Sequence, residues 1–130
     1  MKVFFIVITT IQYEITTMNF NETDEFLKDF RRLSKKYKSL PDDLLEFKKV
    51  VSELPCGSGK HFVILHGLET MKIIKARLFC RYLRGASLRI IYGYREPIKT
   101  IDLIEVYFKG EQVNEDRGRI KDFLHTLALN

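Results

Sequence analysis

Between Met71 and Tyr94 the chain reads MKIIKARLFCRYLRGASLRIIYGY, and the alternation of its apolar and polar positions predicts two strands joined by a turn. The first strand places Ile74, Ala76, Leu78, Cys80 and Tyr82 on one face, and Lys75, Arg77 and Arg81 with Ile73, Phe79 and Leu83 on the other. Arg84 to Ser87 supplies turn residues. The second strand sets Leu88, Ile90, Tyr92 and Tyr94 against Arg89, Ile91, Gly93 and Arg95. Lys75, Arg77, Arg81, Arg89 and Arg95 thus fall on one face of a hairpin. Like charges at close spacing repel. A cluster of cations with interleaved aromatics is either a solvated sheet face or a surface for a polyanion.

The rest of the pattern surrounds this hairpin. Residues 1–17 are apolar and rich in β-branched side chains, which suits a strand, and 15–20 is a second candidate. Phe26, Leu27, Phe30, Leu33 and Tyr37 recur at helical spacing behind Asn21 or Thr23 as a cap. Leu40, Leu44, Phe47, Val51 and Leu54 mark a second helix, which Pro55 stops. Ser39 with Asp42 has the form of a capping box, and Pro41 suits the first turn. The short link between the two helices implies a helical hairpin. His61 to His66 is a short strand candidate, Glu96-Pro97 a turn, and Ile101 to Lys109 the last strong strand. Alternation in that strand groups Asp102, Ile104, Val106 and Phe108 on one face, and Ile101, Leu103, Glu105, Tyr107 and Lys109 on the other. Asn114 is placed to cap a final helix with Ile120, Phe123, Leu124 and Leu127 as its stripe. The order implies an α+β fold, with helices on one face of a mostly antiparallel sheet of four or five strands and the other face left for the cations.

Composition narrows the class. The chain has 130 residues, which fits one core; it is 45% hydrophobic and 30% charged, as in a soluble globular domain. Lys and Arg number 22 against 17 Asp and Glu, for a net charge of +5 that favours an anionic partner. Cys56 and Cys80 are too few for a disulfide scaffold and read as thiols in a reducing cytosol. The apolar run from Val3 to Ile8 is too short to span a membrane and lacks a signal-type cleavage site, so the expected location is cytoplasmic and no membrane partner is expected. Gly59-Lys60 is not a phosphate-binding loop, because Leu54 and His61 stand where that motif needs a Gly and a Ser or Thr. Cys56, His61 and His66 do not form a zinc set: a strand points the two His to opposite faces, and no fourth ligand is evident. No metal or other cofactor is expected.

Several segments, in order, resemble the RelE/ParE superfamily of bacterial and archaeal toxins. FLKDFRRLSKKYKSLPDDL (Phe26 to Leu44) is similar to the helical hairpin of RelE-type toxins, and IIKARLFC (Ile73 to Cys80) to their basic central strand. SLRIIYGY (Ser87 to Tyr94) and IEVYFKG (Ile104 to Gly110) resemble the strands that follow. The resemblance spans about Met18 to Leu127, and Met18 coincides with the initiator expected from the family. Residues 1–17 are then an extension or a misassigned start, and 18–130 one RelE-like domain. The resemblance implies the toxin of a type II toxin–antitoxin pair, a ribosome-dependent endoribonuclease that cuts messenger RNA without a metal and is neutralised by a cognate antitoxin. ParE-like relatives instead inhibit DNA gyrase without cutting RNA, and a decayed member would bind only its antitoxin. Carried over by position, Arg77 and Arg89 would stabilise the reacting phosphate, Lys75, Arg81 and Lys109 would bind RNA, and Glu105 or Tyr107 would transfer protons. The match breaks down after Lys109: GEQVNEDRGRI has no Tyr, and the one C-terminal His, His125, sits late in the final helix.

Overall fold

The computed structural model describes residues 17–84 and 87–129. The strand expected over residues 1–17 lies almost wholly outside these residues. Of the strand expected over 15–20, only Asn19 and Phe20 fall in a described strand. The elements are β1 (Asn19–Glu22), α1 (Asp24–Lys36), α2 (Leu40–Glu53), β2 (Phe62–Gly67), β3 (Met71–Phe79), β4 (Ser87–Arg95), β5 (Thr100–Phe108) and α3 (Arg117–Leu129). The sheet order is β1-β5-β4-β3-β2, with β1 parallel to β5 and every other pair antiparallel. This is the expected α+β architecture of a helical hairpin, a mostly antiparallel sheet and a C-terminal helix.

Local chemistry fixes the helices. Thr23 caps α1, its Oγ1 accepting from Phe26 N at 3.2 Å, while Asp24 and Glu25 in the first turn and Lys35 and Lys36 in the last match the helix dipole. The capping box at Ser39 does not form. Its hydroxyl donates to Asp43 Oδ2 at 2.7 Å and accepts from Tyr82 N, because Asp43 is held where the chain leaves β3, by Arg81 N. Asn114 does not cap α3 either. Asp116 does, accepting from Arg119 N at 3.1 Å, since the helix starts at Arg117.

Phe26, Leu33, Leu44, Phe47 and Val51 of the hairpin bury one face of the sheet, meeting Ile74, Leu78, Leu88, Ile90 and Tyr92. The expectation that the opposite face is free for cations is overturned. Met71, Ile73, Ile91, Ile104 and Tyr107 form a second cluster there, with Ile120, Phe123, Leu124 and Leu127 of α3 packed on it. That much apolar surface is more stable out of water, at about 25 cal/mol per Å². Gly93 permits the approach, since a Cβ there would stand 3.2 Å from the Phe123 ring and 3.3 Å from Ile73. The open part of this face is therefore the end of β3 and β4 that carries Lys75, Arg77 and Arg89.

β5 departs from simple alternation. Ile91 pairs with Glu105 but Tyr92 pairs with Leu103, so Ile104 is an extra residue in the ladder. Such a bulge shifts the phase of a strand. Ile101 and Leu103 consequently lie under the hairpin with Val106 and Phe108, and Ile104 joins Tyr107 on the α3 side. The grouping read from alternation was wrong for Ile101, Asp102, Leu103 and Ile104.

Candidate functional site

Register builds the site. Arg77 of β3 lies opposite Arg89 of β4, and Arg89 lies opposite Tyr107 of β5. The next row is Lys75, Ile91 and Glu105. Side chains directly opposite in antiparallel strands stand about 5 Å apart at Cβ, so two guanidinium groups and a phenol share one small area. Arg77 is exposed and has no ion pair among the described residues. Arg89 is half-buried and oriented by its own strand, Nη1 donating to Ser87 Oγ at 2.8 Å. Two planar forks with unused donors suit a phosphate.

The other expected cations separate. Lys75 is paired with Glu115 at 2.8 Å. Burial pushes the Glu115 carboxyl up, but the hydrogen bond from Lys75, a backbone hydrogen bond and the charges of Lys75 and Arg117 hold it below the usual carboxylate range. Arg81 leaves the face altogether: β3 ends at Phe79, the chain turns through a 3-10 segment (Arg81–Leu83), and Arg81 Nε meets Asp43 of α2 at 3.3 Å. Arg95 is held bidentate by Asp102, at 2.8 and 2.9 Å. The shared face of five cations is thus reduced to Lys75, Arg77 and Arg89. Lys109 is exposed just beyond the end of β5.

The proton-transfer candidates are enclosed. Glu105 is buried and accepts from Gln112 Nε2 at 2.8 Å and from Asp116 N at 2.9 Å. It pairs with neither Arg77 nor Arg89; it anchors the connection from β5 to α3. Tyr107 is 3% exposed. Burial pushes its phenol up to about 12, helped by the charges of Glu115 and Glu105 and opposed by Arg89. At neutral pH Tyr107 therefore holds its proton. An unfolded Tyr titrates near 10, so the folded protein retains a proton that the unfolded chain gives up. The stability this confers is complete below about pH 10 and is lost as pH rises to about 12. Thermal melts across that window are expected to show a decline that is shallower in Tyr107→Phe. Burial raises Tyr92 as well, so some decline persists. An unchanged slope in Tyr107→Phe would place the phenol in water.

Sequence reasoning missed Glu115 and Ser87. Nothing in the local sequence around Glu115 signals that it folds back 40 residues onto Lys75. Among the described residues no group of three or more His, Cys, Asp or Glu is placed to hold a metal ion, and no helix is long and apolar enough to cross a membrane.

No protein-family model matches the chain, and no curated protein is significantly similar in sequence. Solved structures do match. The archaeal RelE–RelB complex from Pyrococcus horikoshii includes a chain that superposes with a TM-score of 0.56 at 22% identity, over 72% of this chain and 97% of that one. A mutant of the Escherichia coli toxin RelE in the free state gives a TM-score of 0.45 at 21% identity, over 73% and 86%. The sheet, the helical hairpin and the C-terminal helix of this protein make up the RelE-type fold.

Proposed function

We propose that this protein is the toxin of a toxin–antitoxin pair and that it cleaves messenger RNA on the ribosome. The observation that carries the reading is the pairing of exposed Arg77 with half-buried Arg89 across β3 and β4, at the end of the sheet face that α3 leaves open, with Tyr107 enclosed beside Arg89. The RNA's own 2′-oxygen attacks the adjacent phosphorus and gives its proton to water; the O2′–P bond forms, the P–O5′ bond breaks, and the departing 5′-oxygen takes a proton from water. Arg77 and Arg89 stabilise the extra negative charge as the phosphorane forms. Tyr107, enclosed and protonated at neutral pH, lies opposite Arg89 and adds no negative charge beside it. Lys75 adds a point charge once it exchanges Glu115 for phosphate.

The structural neighbour was solved as a RelE–RelB complex. By analogy this chain takes an antitoxin, a small protein that folds as it binds and presents acidic residues to Arg77 and Arg89. Co-expression of the neighbouring reading frames is expected to yield a complex and restore growth. A second reading, inhibition of DNA gyrase without cleavage, is favoured by the enclosure of Glu105 and Tyr107 beneath the connection to α3. Mapping message ends after a short induction separates the two. Codon-phased cuts in translated messages support the nuclease; intact messages with DNA-damage signals support the gyrase inhibitor.

A further inference from the structure

β2 pairs with β3 from Lys72 to Ala76 and Arg77 N still donates to His61 O at 3.1 Å, so Leu78 and Phe79 form the open edge beyond it. Between that edge and α2 lies a cavity of about 300 Å³. Phe47 and Leu78, both buried, form its floor. Phe79 lines it while 61% exposed, and its ring meets the His61 ring edge-on at 5.7 Å. Arg77 and Arg81 also line it. His61 Nδ1 is buried and finds no hydrogen-bond partner among the described residues.

We propose that this groove takes one nucleobase of a single-stranded RNA, the one next to the phosphate held by Arg77 and Arg89. The inference rests on the RNA-cleaving reading and adds a specificity pocket to it. A nucleobase has an apolar face and a polar edge. The face suits an apolar floor and an exposed aromatic ring, on which bases stack without needing a particular sequence. Arg77, without an ion pair among the described residues, suits a flanking phosphate, whereas Arg81 is held by Asp43 and Glu46 also lines the groove. Arg77 belongs both to the cross-strand row and to the groove, so one strand of RNA can run from the first into the second. An apolar peptide side chain would fill the floor but leave Arg77 without an anion.

The test uses 2′-O-methyl RNA hexanucleotides, which cannot be cut, with one base removed at a time. Binding to the full chain is followed by NMR titration, which reads affinities into the millimolar range. One abasic position is expected to bind roughly tenfold or more weakly than the intact oligonucleotide. Phe79→Ala should bind the intact oligonucleotide as weakly as the parent binds the abasic one, and combining the two changes should add little further loss. Arg77→Ala should weaken intact and abasic oligonucleotides alike. The proposal is overturned if every abasic oligonucleotide binds the parent as the intact one does, if Phe79→Ala binds at full strength, or if no RNA binds. Coupled losses alongside an uncut ribosome-bound message would sink the cleavage reading and leave the groove standing. A cut message without coupling would sink the groove alone.

Discussion

Arg89→Ala is expected to lower the rate of message cleavage by about 10²–10³-fold, the usual consequence of losing one preorganised donor to a developing negative charge. The fold should survive, because among the described residues the Arg89 side chain hydrogen-bonds only to Ser87 in its own strand. Arg77→Ala should cost nearly as much, since the two residues lie directly opposite across β3 and β4 and, in the proposed reaction, share one phosphate. Their proximity is unfavourable without an anion, and the bound phosphate relieves it. Lys75→Ala should act more weakly and on binding, since an ammonium is a point charge without the bidentate fork and Glu115 already occupies it. Glu105→Gln should have little direct effect on chemistry, because its oxygens are engaged by Gln112 and Asp116. Purified, folded variants assayed on ribosome-bound message decide the matter. Undiminished cutting by the Arg77→Ala, Arg89→Ala double variant would remove the cationic row from the mechanism.

The parts of this site that were legible in the sequence are those set by strand alternation. Lys75, Arg77 and Arg89 could be placed on one face because β3 and β4 run without interruption from Met71 to Phe79 and from Ser87 to Arg95. Alternation failed at Ile104, where one extra residue reverses the phase and no local signal such as Gly marks it. It failed again at Arg81, where the strand had already ended. The covering of the second face was harder still. Ile120, Phe123, Leu124 and Leu127 announce an amphipathic helix, but a stripe on a helix does not say which face of a sheet it will bury. Asp43 and Glu115, each more than 35 residues from its cation, are tertiary pairings beyond the reach of any pattern.

Arg119 is another such pairing, and its loss should destabilise the fold. β1 pairs with β5 only from Thr100 to Leu103, so among the described residues the side of β5 away from β4 has no strand beside it beyond Leu103. Side chains stand in for the missing strand. Thr23 Oγ1 donates to Leu103 O, Asp29 Oδ2 accepts from Val106 N, and Arg119 Nη1 donates to Ile104 O at 3.2 Å. The same Nη1 meets Asp29 Oδ2 at 2.6 Å. Nε lies 2.9 Å from Glu25 Oε2, an ion pair without hydrogen-bond geometry. One guanidinium thus joins α3, on one face of the sheet, to α1 on the other, across an otherwise open edge. Arg119→Ala leaves Asp29 without its cation and Ile104 O without its donor. The expected loss is about 3 kcal/mol, the low end of the range for breaking a buried pair, because both partners keep some contact with water. Arg119→Met, which retains the apolar stem, should lose nearly as much if charge pairing dominates, and clearly less if packing does. Denaturant melts give the total. Amide exchange says where the loss falls, with α3 amides expected to lose protection before those of β3 and β4. A loss under about 1 kcal/mol with α3 protection unchanged would mean that the four apolar residues of α3 hold it in place by themselves.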